Sequence, residues 1–184
     1  MDPPTLFDPI LHAHLIPSIA AVHAACITTE PYAIATFLPP LNTALMTSWW
    51  EDRSKEVTTG TRWIILQLAH SHTSGEEAVA GIVMLSAPYM QTAPFRGGVE
   101  KLLVAPSWRK RGIAKAMMGM LEEVARREGK ELLLLDTEAG SPAELVYPRL
   151  GYIEIGVIPN YDISPKDGLP RGGRFFYKDL RQKN

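Results

Sequence analysis

The chain has 184 residues, of which 46% are apolar and 21% charged, a length and balance that suit one ordinary domain and exclude disorder or a fibrous repeat. Nineteen basic against twenty acidic residues leave a net charge of -1, which removes the broad electrostatic case for a nucleic acid or an anionic membrane as partner. Residues 9–29 and 31–50 are free of formal charge and long enough for a membrane helix. However, His12, His14, His23 and Pro17 in the first, and Pro31, Pro39, Pro40 and Asn42 in the second, are costly in lipid. The start, Met1-Asp2-Pro3-Pro4, lacks the basic segment of a secretory signal, and the single cysteine, Cys26, has no internal disulfide partner. The expectation is a cytoplasmic chain with residues 1–184 forming one domain.

In chain order, a short strand is expected around residues 5–8. Ile16, Ile19, Ala20, Val22, His23 and Cys26 fall at helical spacing, with Pro17 acceptable in the opening turn. After Pro39-Pro40, Asn42 reads as the N-cap of a second helix whose apolar face carries Leu45, Met46, Trp49 and Trp50, and which ends before Gly60. The period then changes. Residues 62–68 and 78–85 are short apolar runs parted by Ser71-His72-Thr73-Ser74-Gly75, the pattern of a hairpin. A loop over residues 88–98 leads to a third strand at 99–104, which Pro106 ends. Residues 112–128 place Ile113, Met117, Met120, Leu121 and Val124 on one helical face, with Gly129 just past the end. A buried strand at 132–135, a helix around 142–150 and strands at 152–157 and 174–178 complete a mixed sheet with flanking helices.

The stretch Leu102-Leu103-Val104-Ala105-Pro106-Ser107-Trp108-Arg109-Lys110-Arg111-Gly112-Ile113-Ala114 is a strand, a basic turn and a helix opened by a small residue. The first N–H groups of a helix lack internal partners and sit at the positive end of its dipole, so such a turn can hold phosphate oxygens. Gly112 and Ala114 allow close approach. From Lys101 to Lys130 there are eight basic residues and three acidic ones, an excess that a polyanionic ligand would explain. A Walker loop and the glycines of a dinucleotide fingerprint are both absent, which disfavours ATP and NAD. A solvated basic turn is the alternative reading of Arg109, Lys110 and Arg111 taken alone.

Arg109-Lys110-Arg111-Gly112-Ile113-Ala114 resembles the Gln/Arg-x-x-Gly-x-Gly/Ala motif of the GNAT superfamily of acetyl-CoA-dependent N-acetyltransferases. Tyr147-Pro148-Arg149-Leu150-Gly151-Tyr152 is similar to that family's Tyr-x-x-x-Gly-Phe/Tyr signature, and the element order agrees over nearly the whole chain. The resemblance implies an α/β (α+β) fold with a mixed, mostly antiparallel central sheet flanked by helices. It also implies acetyl-CoA as the acetyl donor, with the pyrophosphate on Arg109, Lys110, Arg111, Gly112, Ile113 and Ala114 and the pantetheine beside Leu103 and Val104. Within the superfamily, residues 135–147 and Ile158-Pro159-Asn160-Tyr161 resemble the tabtoxin-resistance group of small-molecule acetyltransferases, which implies a resistance role and catalytic roles for Asp136 and Tyr147. Many members carry asparagine just after this strand. Here Gly140 and Ser141 stand in its place, a departure from the family pattern; the resemblance implies Ser141 and Tyr147 as cofactor contacts. The same resemblance places the acceptor near Phe37, Glu100 and a loop carrying Tyr161 and Asp162.

The chemistry sets its own requirements. An alkylammonium of pKa about 10.4 leaves roughly one molecule in a few thousand neutral at pH 7, so the amine needs a base or a water chain to one. Asp136, at the C-terminal end of a buried strand, is one candidate, and Glu100, on the motif strand, is its rival. A leaving thiolate needs only a modest donor, which a tyrosine such as Tyr147 supplies. His70 and His72 make a weak metal case, so no metal is expected. Cys26, on an apolar helix face, reads as a small core residue.

Three functions follow as expectations. The first is acetylation of a small amine or amino-acid-like compound by direct transfer, with detoxification as a role and a monomer or homodimer as the assembly. The second is acetylation of a protein lysine or N-terminus. The third is a CoA-binding module without catalysis.

Overall fold

The computed structural model describes residues 2–30, 36–70, 77–87 and 90–182. Its strands are β1 (Thr5–Leu6), β2 (Arg62–His70), β3 (Glu77–Ser86), β4 (Arg96–Val104), β5 (Leu132–Glu138), β6 (Ile153–Ile163) and β7 (Pro170–Asp179). Its helices are α1 (Ile16–Thr28), α2 (Thr43–Thr58), α3 (Ile113–Arg127) and α4 (Val146–Arg149). Among the described residues these strands form one sheet in the order β1-β2-β3-β4-β5-β7-β6. The β4–β5 pair is parallel and every other neighbouring pair antiparallel. Pro31, the expected hairpin turn at residues 71–75 with His72, and Pro88 lie outside the described residues. Among those described, no helix is long and apolar enough to cross a membrane.

Helices cover both faces of the central strands, which is why β2 and β3 read as unbroken apolar runs. Ile64, Leu66, Ile82, Met84 and Leu103 pack with α1 and α2. Ile65, Val83, Leu85, Leu133, Leu135 and Phe176 pack with α3 on the other side. Close approach of α3 depends on Gly81, where an added Cβ would lie 2.8 Å from Met117 Cε. Pro17 sits in the first turn of α1. The Asn42 side chain caps α2 by accepting the Leu45 N–H at 3.0 Å.

Four expectations need correction. The helix expected at 142–150 is a 3-10 turn, Pro142–Leu145, followed by the single turn of α4. Pro148 has no N–H to continue it, and Gly151, at φ 81°, leads the chain away. The third strand begins at Arg96, three residues early. Gly97 and Gly98 read as loop, yet they pair with Leu133 and Leu134, and added Cβ atoms there would crowd Leu85 and Ser86. Tyr161 and Asp162 lie in β6 rather than in a loop, because β7 keeps pairing to Ile163 across an irregularity between Ile158 and Asp162. In α2, Met46 and Trp50 are core, whereas Leu45 is 56% exposed.

Candidate active site

The site grows from a gap in the sheet. β4 and β5 pair only where Arg96, Gly97 and Gly98 meet Leu132, Leu133 and Leu134. Beyond Gly98 the two strands are no longer paired, leaving facing edges from Val99 and Leu135 onward. β4 is also bulged. Met84 pairs with Glu100 and Ile82 with Leu103, so Lys101 and Leu102 together oppose Val83, and Lys101 adopts a left-handed backbone at φ 55°. Glu100 and Lys101 thus stand on β4 and Asp136 on β5, across the opening.

Aromatic side chains surround this opening. Phe37 packs on Trp49 with ring centres 6.0 Å apart, and the Lys101 ammonium lies 5.8 Å from the centre of the Trp49 ring. Asp136 pairs with Phe175 of β7. The Tyr161 ring meets Phe175 at 4.9 Å and lies over Gly173, where an added Cβ would come within 2.5 Å of Tyr161 Cδ1. Tyr147 is buried beneath, its ring 5.5 Å from that of Phe176 and 6.0 Å from that of Tyr152. The fold therefore brings Phe37, Glu100, Asp136, Tyr147, Tyr161 and Asp162 toward one region from five separate segments.

Their electrostatics differ. Burial favours the neutral form of Glu100, but the Ser86 hydroxyl and the Arg62 guanidinium outweigh it and hold the carboxyl below its ordinary range. Arg62 Nη1 donates to Glu100 Oε2 at 2.8 Å and Nε to Glu56 Oε2 at 2.6 Å. Asp136 opens on solvent, yet the cleft walls strip enough water to push its carboxyl above the ordinary range. Asp162 and Glu100 add to the rise and Lys101 opposes it. Burial lowers the Lys101 ammonium, against Glu100, Asp136 and Asp162. Burial and then Asp136 raise the Tyr147 hydroxyl well above the usual tyrosine range, so it keeps its proton.

The basic turn lies at the far end of β4. Gly112, at φ 81°, is the N-cap of α3 and no side chain caps the helix there, so its first N–H groups remain for a ligand. A Cβ built on Gly112 would meet nothing within 4 Å. Lys110 and Arg111 are exposed, and Arg111 stacks on Trp108 at 4.7 Å. Arg109 turns inward instead, donating Nε to Val104 O at 3.2 Å and Nη1 to Glu30 O at 2.9 Å, which ties the turn to the end of α1. Leu103 is buried, Val104 half-buried, and Ser141 Oγ lies 3.4 Å from Thr137 Oγ1. An open glycine, uncapped helix N–H groups and two exposed cations fit a pyrophosphate.

Sequence reasoning did not single out Lys101 or Arg62 for the site. The bulge has no signature in the strand itself. Arg62, a cation opening an apolar run, was the available signal for a buried partner.

The parallel strand pair thus splays beside a helix start left open to an anion. The chain belongs to the acetyltransferase (GNAT) family, whose profile matches residues 34–152 and whose members take acetyl-CoA as donor. The catalytic subunit NAA20 of the N-terminal acetyltransferase B complex from Arabidopsis thaliana is 30% identical over 81 residues, 43% of this chain and 47% of that protein. The chain thus spans about half the length of this curated relative. In structure it is similar to an N-acetyltransferase from Staphylococcus aureus Mu50, with TM-score 0.73, 17% identity and coverage of 97% and 99% of the two chains. It is also similar to the acetyltransferase YncA from Salmonella typhimurium, solved with acetyl-CoA, with TM-score 0.70, 17% identity and coverage of 98% and 95%.

Proposed function

We propose that residues 1–184 form one N-acetyltransferase domain that acetylates the amine of a small, amino-acid-like molecule by direct transfer, in a protective role. The observation that carries the catalytic part of the reading is the place of the Asp136 carboxyl on β5, across the unpaired end of the β4–β5 gap from Glu100 and Lys101, where burial raises it above its ordinary range. A carboxylate of increased basicity at this position accepts the amine proton, directly or through water.

Lys110, Arg111, Gly112 and the N–H groups of Ile113 and Ala114 hold the pyrophosphate of acetyl-CoA. Leu103 and Val104 flank its pantetheine, Ser141 and Tyr147 stand at its acyl end, and Arg109 holds the turn in shape. When bound, acetyl-CoA supplies an electrophilic thioester. Tyr147 donates to the departing sulfur. Because its hydroxyl is a weaker acid than free tyrosine, it acts mainly as a hydrogen-bond donor, enough for a leaving thiol of pKa near 8.5. Glu100, kept ionised by Arg62, shapes the acceptor side with Phe37, Tyr161 and Asp162.

A second reading, acetylation of a protein N-terminus, draws on the likeness to NAA20. Thiol release from acetyl-CoA, measured against amines, amino acids, amino-acid-like antibiotics and peptides with free N-termini, separates the two. Turnover of small acceptors alone supports the first, and turnover of peptides alone supports the second.

A further inference from the structure

Among the described residues, Lys101 is unlike the other buried or half-buried cations of the sheet, each of which has a carboxylate partner. Arg62 is held by Glu56 and Glu100, Arg174 by Glu144 and Glu154, and Lys178 by Glu122. The Lys101 ammonium has no hydrogen bond and no carboxylate oxygen within 4.0 Å among the described residues. It is nevertheless half-buried, fixed by the bulge and resting against the Trp49 ring at 5.8 Å. A half-buried ammonium whose three donors are unused is complete only with water or a ligand anion.

The acids that face it come from three strands, and Arg62 of β2 adds a like charge. Glu100 of β4 is already engaged by Arg62 of β2, which leaves Asp136 of β5 and Asp162 of β6 as the acids coupled to Lys101. Both stand farther than 4.0 Å from its ammonium, so neither closes an ion pair with it. One cation set across from two acids matches a molecule that carries an ammonium and a carboxylate close together. A simple amine would satisfy the acids and leave Lys101 unpaired.

On the reading of this cleft as the acceptor site, on which the inference rests, we infer that the acceptor is an α-amino acid or a close analogue whose carboxylate binds Lys101 while its amine faces Asp136. Trp49 and Phe37 on one side and Tyr161 and Phe175 on the other then flank its side chain.

The experiment is thiol release with each of the common amino acids and, for every one accepted, with its amide. The wild-type chain should favour the acid through a lower KM. In Lys101→Met the KM for the acid should rise by about 10–100-fold, the scale of one lost charge-assisted hydrogen bond, so that the acid loses its advantage over the amide. Lys101→Arg should restore part of it. Calorimetry with acetyl-CoA should show unchanged affinity in Lys101→Met. Equal KM for acid and amide in the wild type, weakened acetyl-CoA binding in Lys101→Met, or no turnover of any amino acid would each overturn the inference. Asp136→Asn keeps the two readings apart. If it retains turnover while Lys101→Met still loses the carboxylate preference, the assignment of the base fails and the carboxylate site stands.

Discussion

Arg62 Nη1 lies 2.8 Å from Glu100 Oε2, and this contact separates the roles of the two carboxyls that the sequence offers as a base. With a guanidinium beside it Glu100 is held ionised and below its ordinary range, whereas the cleft, Asp162 and Glu100 itself raise Asp136. A base working near neutral pH benefits from the second environment, not the first.

Asp136→Asn keeps the shape of the side chain and removes its proton affinity. Its kcat should fall by about 10²–10⁴-fold, the range typical of a lost general base, with acetyl-CoA affinity little changed by calorimetry. Glu100→Gln should retain most turnover and mainly alter the acceptor KM. The reverse ranking would place the base on β4.

The pH profile follows from the same cluster. Only ionised Asp136 accepts a proton, so kcat/KM should be full above its raised pKa and lost as pH falls through it, at a higher pH than an ordinary aspartate would set. Asp162→Asn removes a charge that raises Asp136 and should move this acid limb down. Lys101→Met removes one that lowers it and should move the limb up. Limbs that stay in place in both variants would exclude Asp136 as the titrating group.

Gly112→Ala tests the anion turn. Space is not the obstacle, since a Cβ there meets nothing within 4 Å, but the backbone sits at φ 81°, which costs an L-residue about 1–2 kcal/mol. Relaxation of that strain would turn the first N–H groups of α3 away from the phosphates. Weaker acetyl-CoA binding, with the melting temperature lowered only slightly, is the expected result.

The cap of α2 provides a control remote from the chemistry. Asn42→Ala removes the acceptor of the Leu45 N–H and should cost about 1 kcal/mol, read by denaturant unfolding. Kinetic constants should follow those of the parent.

Legibility in the sequence tracked how local each signal was. α3 was plain, because Ile113, Met117, Leu121 and Val124 repeat at helical spacing between Gly112 and Gly129, both found at positive φ. Asn42 announced itself as a cap within four residues. The bulge at Lys101 was hidden, since it exists only as a mismatch with β3. So was the Arg62–Glu100 pair, 38 residues apart. The early start of β4 was missed because Gly97 and Gly98 signal a turn by composition, while here they permit close packing. The strand expected at 152–157 runs on through Pro159 and Asn160, the latter at φ 52°, to Ile163. Tyr147 became a candidate through the Tyr-x-x-x-Gly-Tyr signature, and Asp136 through its place at the end of a buried strand and the resemblance to the tabtoxin-resistance group; nothing in their own spacing marks them.

Tyr161 depends on Gly173. The ring occupies the space where any β-carbon at 173 would stand, 2.5 Å from Cδ1 and 2.9 Å from Cγ, and it is held edge-on against Phe175 at 4.9 Å. Gly173→Ala must therefore displace the ring from the acceptor side of Asp136 without touching the turn at Gly112. If Tyr161 is an acceptor wall, Gly173→Ala and Tyr161→Ala should raise the acceptor KM by similar factors, roughly 3–10-fold, and leave the acetyl-CoA KM nearly constant, the signature of lost uniform binding to one substrate. The double variant should be little worse than either single change, because both remove the same contact. Additive losses, or equal effects on both substrates, would show that the ring does not line the acceptor site.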